Sequence, residues 1–216
     1  MNKKLNSKAK KVFKIITLGN AGVGKTSIIR SYLGYIFESN NLSTIGLDFA
    51  RKEIILKNKE KIHFQLMDTS GQEKYKSLAS SYLKHADGVL FVFALNNKLS
   101  FEQITGWIKL FEEEHFGKDN IPKYLVGNKC DLENDIKVEE DLINDFINNK
   151  KDMIYFQTSA KDNINIEKVF QEMAEKLYEE YKKSGIEDKP QKKLDKQPNK
   201  EKKRKECCNA KVGPDI

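Results

Sequence analysis

The chain has 216 residues, 38% hydrophobic and 33% charged, with a formal net charge of +7. That length suits one domain with extensions. Its longest apolar run, Val89–Leu95, falls far short of the roughly 20 residues that cross a bilayer as a helix, the start is basic without the apolar stretch of a secretory signal, and three cysteines make no disulfide framework. Met1–Lys14 carries six lysines and no acid, Lys182–Ile216 a further +6, and residues 15–181 sum to −5. The basic character that suggests a nucleic-acid binder therefore belongs to the two ends, and no nucleic-acid partner is expected.

In chain order, Val12–Leu18 is a β-rich apolar run that leads into Gly19-Asn20-Ala21-Gly22-Val23-Gly24-Lys25, followed by helical spacing over Thr26–Leu33. Phe49–Leu56 and Ile62–Met67, joined by the polar turn Lys57-Asn58-Lys59-Glu60, read as an antiparallel hairpin, because so short a connection cannot join parallel strands. A helical pattern follows near Glu73–Leu83. Val89–Leu95 and Lys123–Val126 are short apolar runs of the kind buried on both faces, and Met153–Gln157 is a sixth strand. Further helices are predicted over Ser100–Glu114, Val138–Asn148 and Asn165–Tyr181. Ser100, the polar residues before Val138, and Asn165 stand where helix starts favour capping groups. After Tyr181 the periodicity stops, and 182–216 holds three of the four prolines; its composition predicts a disordered tail.

Strand–helix alternation predicts a three-layer α/β/α domain with a mostly parallel sheet. Ligands bind such sheets at the carboxyl ends of the strands. The unusual residues fall there: Gly19–Thr26 after the first strand, Asp68–Gln72 after the third, Asn128–Asp131 after the fifth and Ser159–Lys161 after the sixth.

Gly19-xxxx-Gly24-Lys25-Thr26 matches the G-x4-G-K-[ST] phosphate loop. Small residues let backbone N–H groups turn in around phosphate oxygens, and the helix that follows presents its positive end. Lys25 is placed to neutralise the β- and γ-phosphates and the Thr26 hydroxyl to reach Mg²⁺. Asn128-Lys129-Cys130-Asp131 selects the base. A carboxylate there accepts two hydrogen bonds from the guanine N1–H and exocyclic amine, a pair that adenine lacks, and a site built around hydrogen bonds rejects ligands without them.

These motifs, with Thr44-Ile45-Gly46, Asp68-Thr69-Ser70-Gly71-Gln72-Glu73 and Ser159-Ala160-Lys161, resemble a small GTPase of the Ras superfamily, most like its Rab branch. The likeness covers about residues 12–181, between a basic arm (1–11) and a basic tail (182–216). It implies a P-loop NTPase fold with a six-stranded mixed sheet, one strand antiparallel, and five helices. It implies that Asn20, Ala21, Gly22, Val23, Gly24, Lys25, Thr26 and Ser27 hold the phosphates. Thr26, Thr44 and Asp68 would serve Mg²⁺, Thr44 and the Gly71 N–H would meet the γ-phosphate, and Gln72 would orient the attacking water. Phe37 would pack against guanine, with Asn128, Lys129, Asp131, Ser159, Ala160 and Lys161 completing the base pocket. Catalysis is assigned to Gln72, Lys25, Thr44 and Gly71. Cys130 reads as a small buried hydrophobe.

Arg30 and Arg51 are poorly placed as a cis arginine finger, so slow intrinsic hydrolysis is expected, accelerated by an activating protein. Exchange factor, effectors and a dissociation inhibitor are implied as further partners, acting on a monomer. Met67 and Ser70 depart from the Trp and Ala usual in Rab proteins, and that Trp belongs, with Phe49 and the position of Tyr82, to a surface aromatic triad contacted by effectors. Trp107, the only tryptophan, is expected in the core. His63, His85 and His115 match no metal-ligand spacing.

Cys207-Cys208 after Lys202-Lys203-Arg204-Lys205 resembles a doubly prenylated Rab tail. Two lipid chains and a basic patch give stable anchoring where one chain does not, which implies the cytoplasmic face of an intracellular membrane, in exchange with the cytosol. Eight residues follow Cys208, and they fit no C-a-a-X pattern. The leading reading is a GTP/GDP-switched regulator of vesicle traffic. The alternative is a GTP-dependent adaptor with negligible hydrolysis.

Overall fold

The structure, a computed structural model, describes residues 11–38, 47–69, 83–115, 120–150 and 152–184, with only the backbone at 47 and 48. Six strands form one sheet: β1 (Lys11–Leu18), β2 (Leu47–Ile55), β3 (Lys61–Thr69), β4 (Gly88–Ala94), β5 (Lys123–Asn128) and β6 (Met153–Gln157). Their spatial order is β2-β3-β1-β4-β5-β6. Only β2 and β3 pair antiparallel; the other pairs are parallel. The hairpin turns at Lys59, whose φ of 65° is left-handed, with Leu56 N–H donating to Glu60 O at 2.9 Å.

The helices are α1 (Lys25–Tyr32), α2 (Lys98–Glu102), α3 (Ile104–Glu114), α4 (Glu140–Asn148) and α5 (Ile166–Lys183). The pattern predicted near Glu73–Leu83 lies outside the described residues apart from Leu83. The single helix predicted over Ser100–Glu114 is two, α2 and α3. Gln103 stands between them, and the Gly106 N–H reaches back three residues to Gln103 O.

Strand alternation sends side chains to two opposite layers. Phe13 and Ile15 of β1, Leu90 and Val92 of β4, and Phe64 of β3 pack with α1 and α5. Ile16, Leu18, Phe91 and Phe93 pack with α2, α3 and α4. Tyr32 of α1 stacks on Phe170 of α5, centroids 3.9 Å apart. In α5 the buried set Ile166, Val169, Phe170, Met173, Ala174, Leu177 and Tyr178 follows the spacing of one helix face.

Capping differs from the sequence reading. Asn97, not Ser100, caps α2, its side chain accepting from Ser100 N at 3.1 Å. The Ser100 hydroxyl instead accepts from Ala94 N at 3.0 Å and donates to Asn97 O at 2.6 Å, pinning the helix start to the end of β4. Asn165 precedes α5 at φ 56° without a capping bond and donates to Gln157 O at 2.7 Å. Glu139 precedes α4, also without a side-chain cap, and Glu140 and Asp141 supply negative charge in its first turn. These choices depend on which strand end lies nearby, which local spacing does not encode.

β1 has β3 on one side and β4 on the other, so the order of connection reverses at β1. A crevice forms at the carboxyl ends of strands around such a point.

Candidate nucleotide site

Gly19 leaves β1 at φ 148°, so close to β4 that an added Cβ would stand 2.1 Å from Val92 O. Gly24, at φ 99°, closes the loop at the N-cap of α1, where a Cβ would stand 2.2 Å from Asn128 Nδ2. Both positions require a residue without a side chain. Between them the chain curls back so that Lys25, only 5% exposed, donates to Gly19 O at 2.9 Å and Asn20 O at 2.8 Å. Burial draws the Lys25 ammonium down to about 8, while Asp68 acts to raise it. A negatively charged ligand beside it favours the charged form.

Asp68, buried at the end of β3, is held on both oxygens. The Thr26 hydroxyl donates to Oδ2, and the Thr17 hydroxyl lies 3.4 Å from Oδ1 and 3.3 Å from Met67 O. Thr69 Oγ1 in turn donates to Thr17 O at 2.6 Å. The expected Thr26–Asp68 pair is thus brought together by β1, α1 and β3.

The segments expected to recognise the base converge through Asn128, which is 2% exposed. Its Nδ2 donates to Val23 O at 2.9 Å, and its Oδ1 accepts from Ala160 N at 3.1 Å and Thr158 Oγ1 at 3.3 Å. One side chain therefore joins the phosphate loop to the two loops after β5 and β6. Asp131 Oδ1 accepts from Ser159 Oγ at 2.7 Å, and Cys130 N donates to Thr158 O at 3.0 Å. Lys129 turns through φ 69° to carry the chain from β5 toward Asp131. Burial lowers the Lys129 pKa, against Asp131. Burial, then Asp131, pushes the Cys130 thiol up, which disfavours the reactive thiolate. Ala160 is buried and Lys161 exposed.

Phe37, beyond α1, is 40% exposed. Thr44, Gly71, Gln72, Cys207 and Cys208 lie outside the described residues. Met67 differs from what the aromatic triad implies: it is 2% exposed, within the layer of Ile16, Leu18 and Phe91. Phe49, opposite it on the edge strand β2, is exposed. His115 is buried with Nδ1 3.0 Å from Phe111 O, and His63 sits 3.5 Å from Glu53.

Sequence reasoning did not single out Thr17, Thr158 or the side chain of Asn20. Thr17 had a visible signal, a lone hydroxyl inside an apolar strand. Asn20 had none. Its Oδ1 accepts from Trp107 Nε1 at 2.8 Å and its Nδ2 donates to Gln103 Oε1.

The family described as "Ras family" matches residues 14–179. "GTP-binding protein YPT1" of Saccharomyces cerevisiae is 33% identical over 192 residues, 89% of this chain and 91% of that protein. "Ras-related protein Rab-10" of Diplobatis ommata is 37% identical over 77% of this chain and 81% of its own length. "Ras-related protein Rab-30" of Homo sapiens is 34% identical over 81% and 84%.

Proposed function

The chain belongs to the Ras family, in its Rab branch, and is a GTPase; from that premise we propose that it is a GTP/GDP-switched regulator of intracellular membrane traffic. The observation that carries the reading is Asn128, which binds Val23 of the phosphate loop and Ala160 of the base pocket at once, so that one nucleotide fills a single connected site. Residues 12–181 form the nucleotide-binding domain in this reading.

Asp131 reads the guanine edge, held in orientation by Ser159, while Phe37 covers the base. Lys25 neutralises phosphate charge from a buried position where its field is little screened. The Thr26 hydroxyl and the Asp68 carboxylate fit Mg²⁺, which prefers oxygen donors and is held by one or two carboxylates plus substrate phosphates. When bound, that ion would supply positive charge to offset what develops on the phosphate oxygens. Thr44 and Gly71 are assigned to the γ-phosphate and Gln72 to the attacking water. Loss of the γ-phosphate removes the group that Thr44 and Gly71 are assigned to contact, so a partner sensitive to those contacts reads the nucleotide.

Arg30 faces Glu38 at 3.2 Å and Tyr35, and Arg51 lies on the exposed strand β2, so an activating protein supplies the missing charge. Gln72→Leu is expected to slow single-turnover hydrolysis at least about tenfold while GTP remains bound. Hydrolysis unaffected by that substitution would remove Gln72 from its role. Hydrolysis that stays undetectable with candidate activators present would make the chain a GTP-dependent adaptor.

The membrane reading is supported at the other end of the domain. Lys11 Nζ lies 4.7 Å and 4.6 Å above the rings of Tyr178 and Tyr181, and Phe13 meets Tyr181 edge-on at 6.1 Å. The first residue of β1 and the last turns of α5 thus share the pole opposite the carboxyl ends of the strands. Basic segments 1–10 and 185–216 join the domain there, where charges facing anionic lipid contribute about 1 kcal/mol each. We expect Cys207→Ser with Cys208→Ser to release the protein from membranes in its own cells, with further loss on deleting residues 1–10. Unmodified thiols on membrane-bound protein would count against lipid anchoring.

A further inference from the structure

Trp107 and Gln103 come from the α2–α3 junction, 87 and 83 residues along the chain from Asn20, yet both bind its side chain. An indole N–H can only donate. The Asn20 atom 2.8 Å from Trp107 Nε1 is therefore the carbonyl oxygen, which leaves the amide nitrogen to donate to Gln103 Oε1. Both orientations of the amide group are fixed by partners outside the loop. The Trp107 ring is 7% exposed and anchored in the layer beneath β4, so its N–H is a rigid donor.

Asn20 is also one of two carbonyls that hold Lys25, its backbone oxygen accepting from Nζ at 2.8 Å. A continuous chain of contacts thus runs from α3 through the Asn20 side chain to its backbone, and from there to the phosphate-binding ammonium. We propose that Trp107, assisted by Gln103, is a positioning residue for the phosphate loop: it clamps Asn20 in the conformation that aims Lys25 and thereby slows nucleotide release. The two arms differ. The Trp107 bond is partly buried and the Gln103 bond exposed to solvent, and a better-shielded hydrogen bond contributes more.

The test is release of fluorescently labelled GDP from the full chain into excess unlabelled GDP. Trp107→Phe keeps an aromatic ring in the core and removes the donor, with a smaller side chain. It and Asn20→Ala are each expected to speed release on the order of fivefold, the scale of one hydrogen bond. The double variant is expected to be no faster than the quicker single, because both remove the same contact. Asn20→Asp keeps an acceptor for the indole, and the Gln103 amide can turn to donate to it, so release is expected to be slower than from Asn20→Ala. Trp107 is the only tryptophan, and its emission is expected to move to shorter wavelength in Asn20→Ala and to stay in place in Asn20→Asp.

Wild-type release from Trp107→Phe, or fully additive effects in the double variant, would overturn the clamp. Should Trp107→Phe fail to fold, the two Asn20 variants decide. Fast release from Asn20→Ala with slow release from Asn20→Asp supports the proposal, and equal rates from the two reject it.

Discussion

Asp131→Ala is expected to raise the dissociation constant for GDP about a hundredfold or more. The carboxylate is positioned by Ser159, whose hydroxyl donates to Oδ1 at 2.7 Å, and Ser159 is itself fixed by the Asp162 N–H at 3.0 Å. An ionised carboxylate offers about four lone-pair sites. One is used by Ser159, and the others suffice for the two donors on the guanine edge. Each hydrogen bond to a charged group contributes about 1.5–3 kcal/mol, so losing two gives about 3–6 kcal/mol, and the low end already exceeds a factor of one hundred. Titration of labelled GDP measures the affinity, and competition by ATP measures the selectivity. The preference for guanine over adenine should collapse along with it, since the phosphate contacts proposed for Lys25 are untouched. A loss under tenfold with selectivity intact would place base recognition elsewhere.

The motifs that carry this expectation were legible because each is local. Gly19–Thr26 must curl around phosphate within one loop, and Asn128–Asp131 must present its groups from one strand end. Strand alternation in Val12–Leu18 and Val89–Leu95 was legible for the same reason: burial on both faces leaves a continuous apolar run, and the structure divides each run between two core layers. The sites that could not be read are those made by distant residues. Nothing near Asn20 in sequence announces Trp107, and a tryptophan in an amphipathic helix reads as core. It is core, and it also donates to the loop.

Met67 shows a second limit. Its likeness to an effector-facing aromatic position predicts a surface role, but β3 is an interior strand of the sheet and Met67 is buried in the layer of Ile16, Leu18 and Phe91. Phe49, paired with it in register, is exposed because β2 is the edge. Facing positions on one sheet face can thus differ in burial according to what covers each strand. The net charge of +7 similarly describes no part of the folded domain, whose residues 15–181 sum to −5.

Asn128→Ala is expected to cost the folded domain about 3–5 kcal/mol, more than any loss of its own apolar contacts. The side chain is 2% exposed and makes three hydrogen bonds to groups on two other segments. Truncation leaves Val23 O and the Ala160 N–H without this partner inside the protein, and an unsatisfied buried group costs about 1–3 kcal/mol. At about 2–4 °C per kcal/mol for a domain of this size, the melting temperature should fall by about 10 °C. Asn128→Asp separates the two halves of the interaction. It retains an acceptor for Ala160 N and Thr158, but it puts a carboxylate oxygen against Val23 O where a donor stood 2.9 Å away. A buried acceptor facing an acceptor is repulsive, so the aspartate variant should be no more stable than alanine despite its closer shape. Thermal unfolding of both variants in saturating GDP gives the comparison. The same variants should release nucleotide faster than wild type, because Val23 is proposed to hold phosphate and Ala160 to line the base pocket. An aspartate variant that melts with the wild type would mean that the bond to Val23 does not hold the two halves of the site together.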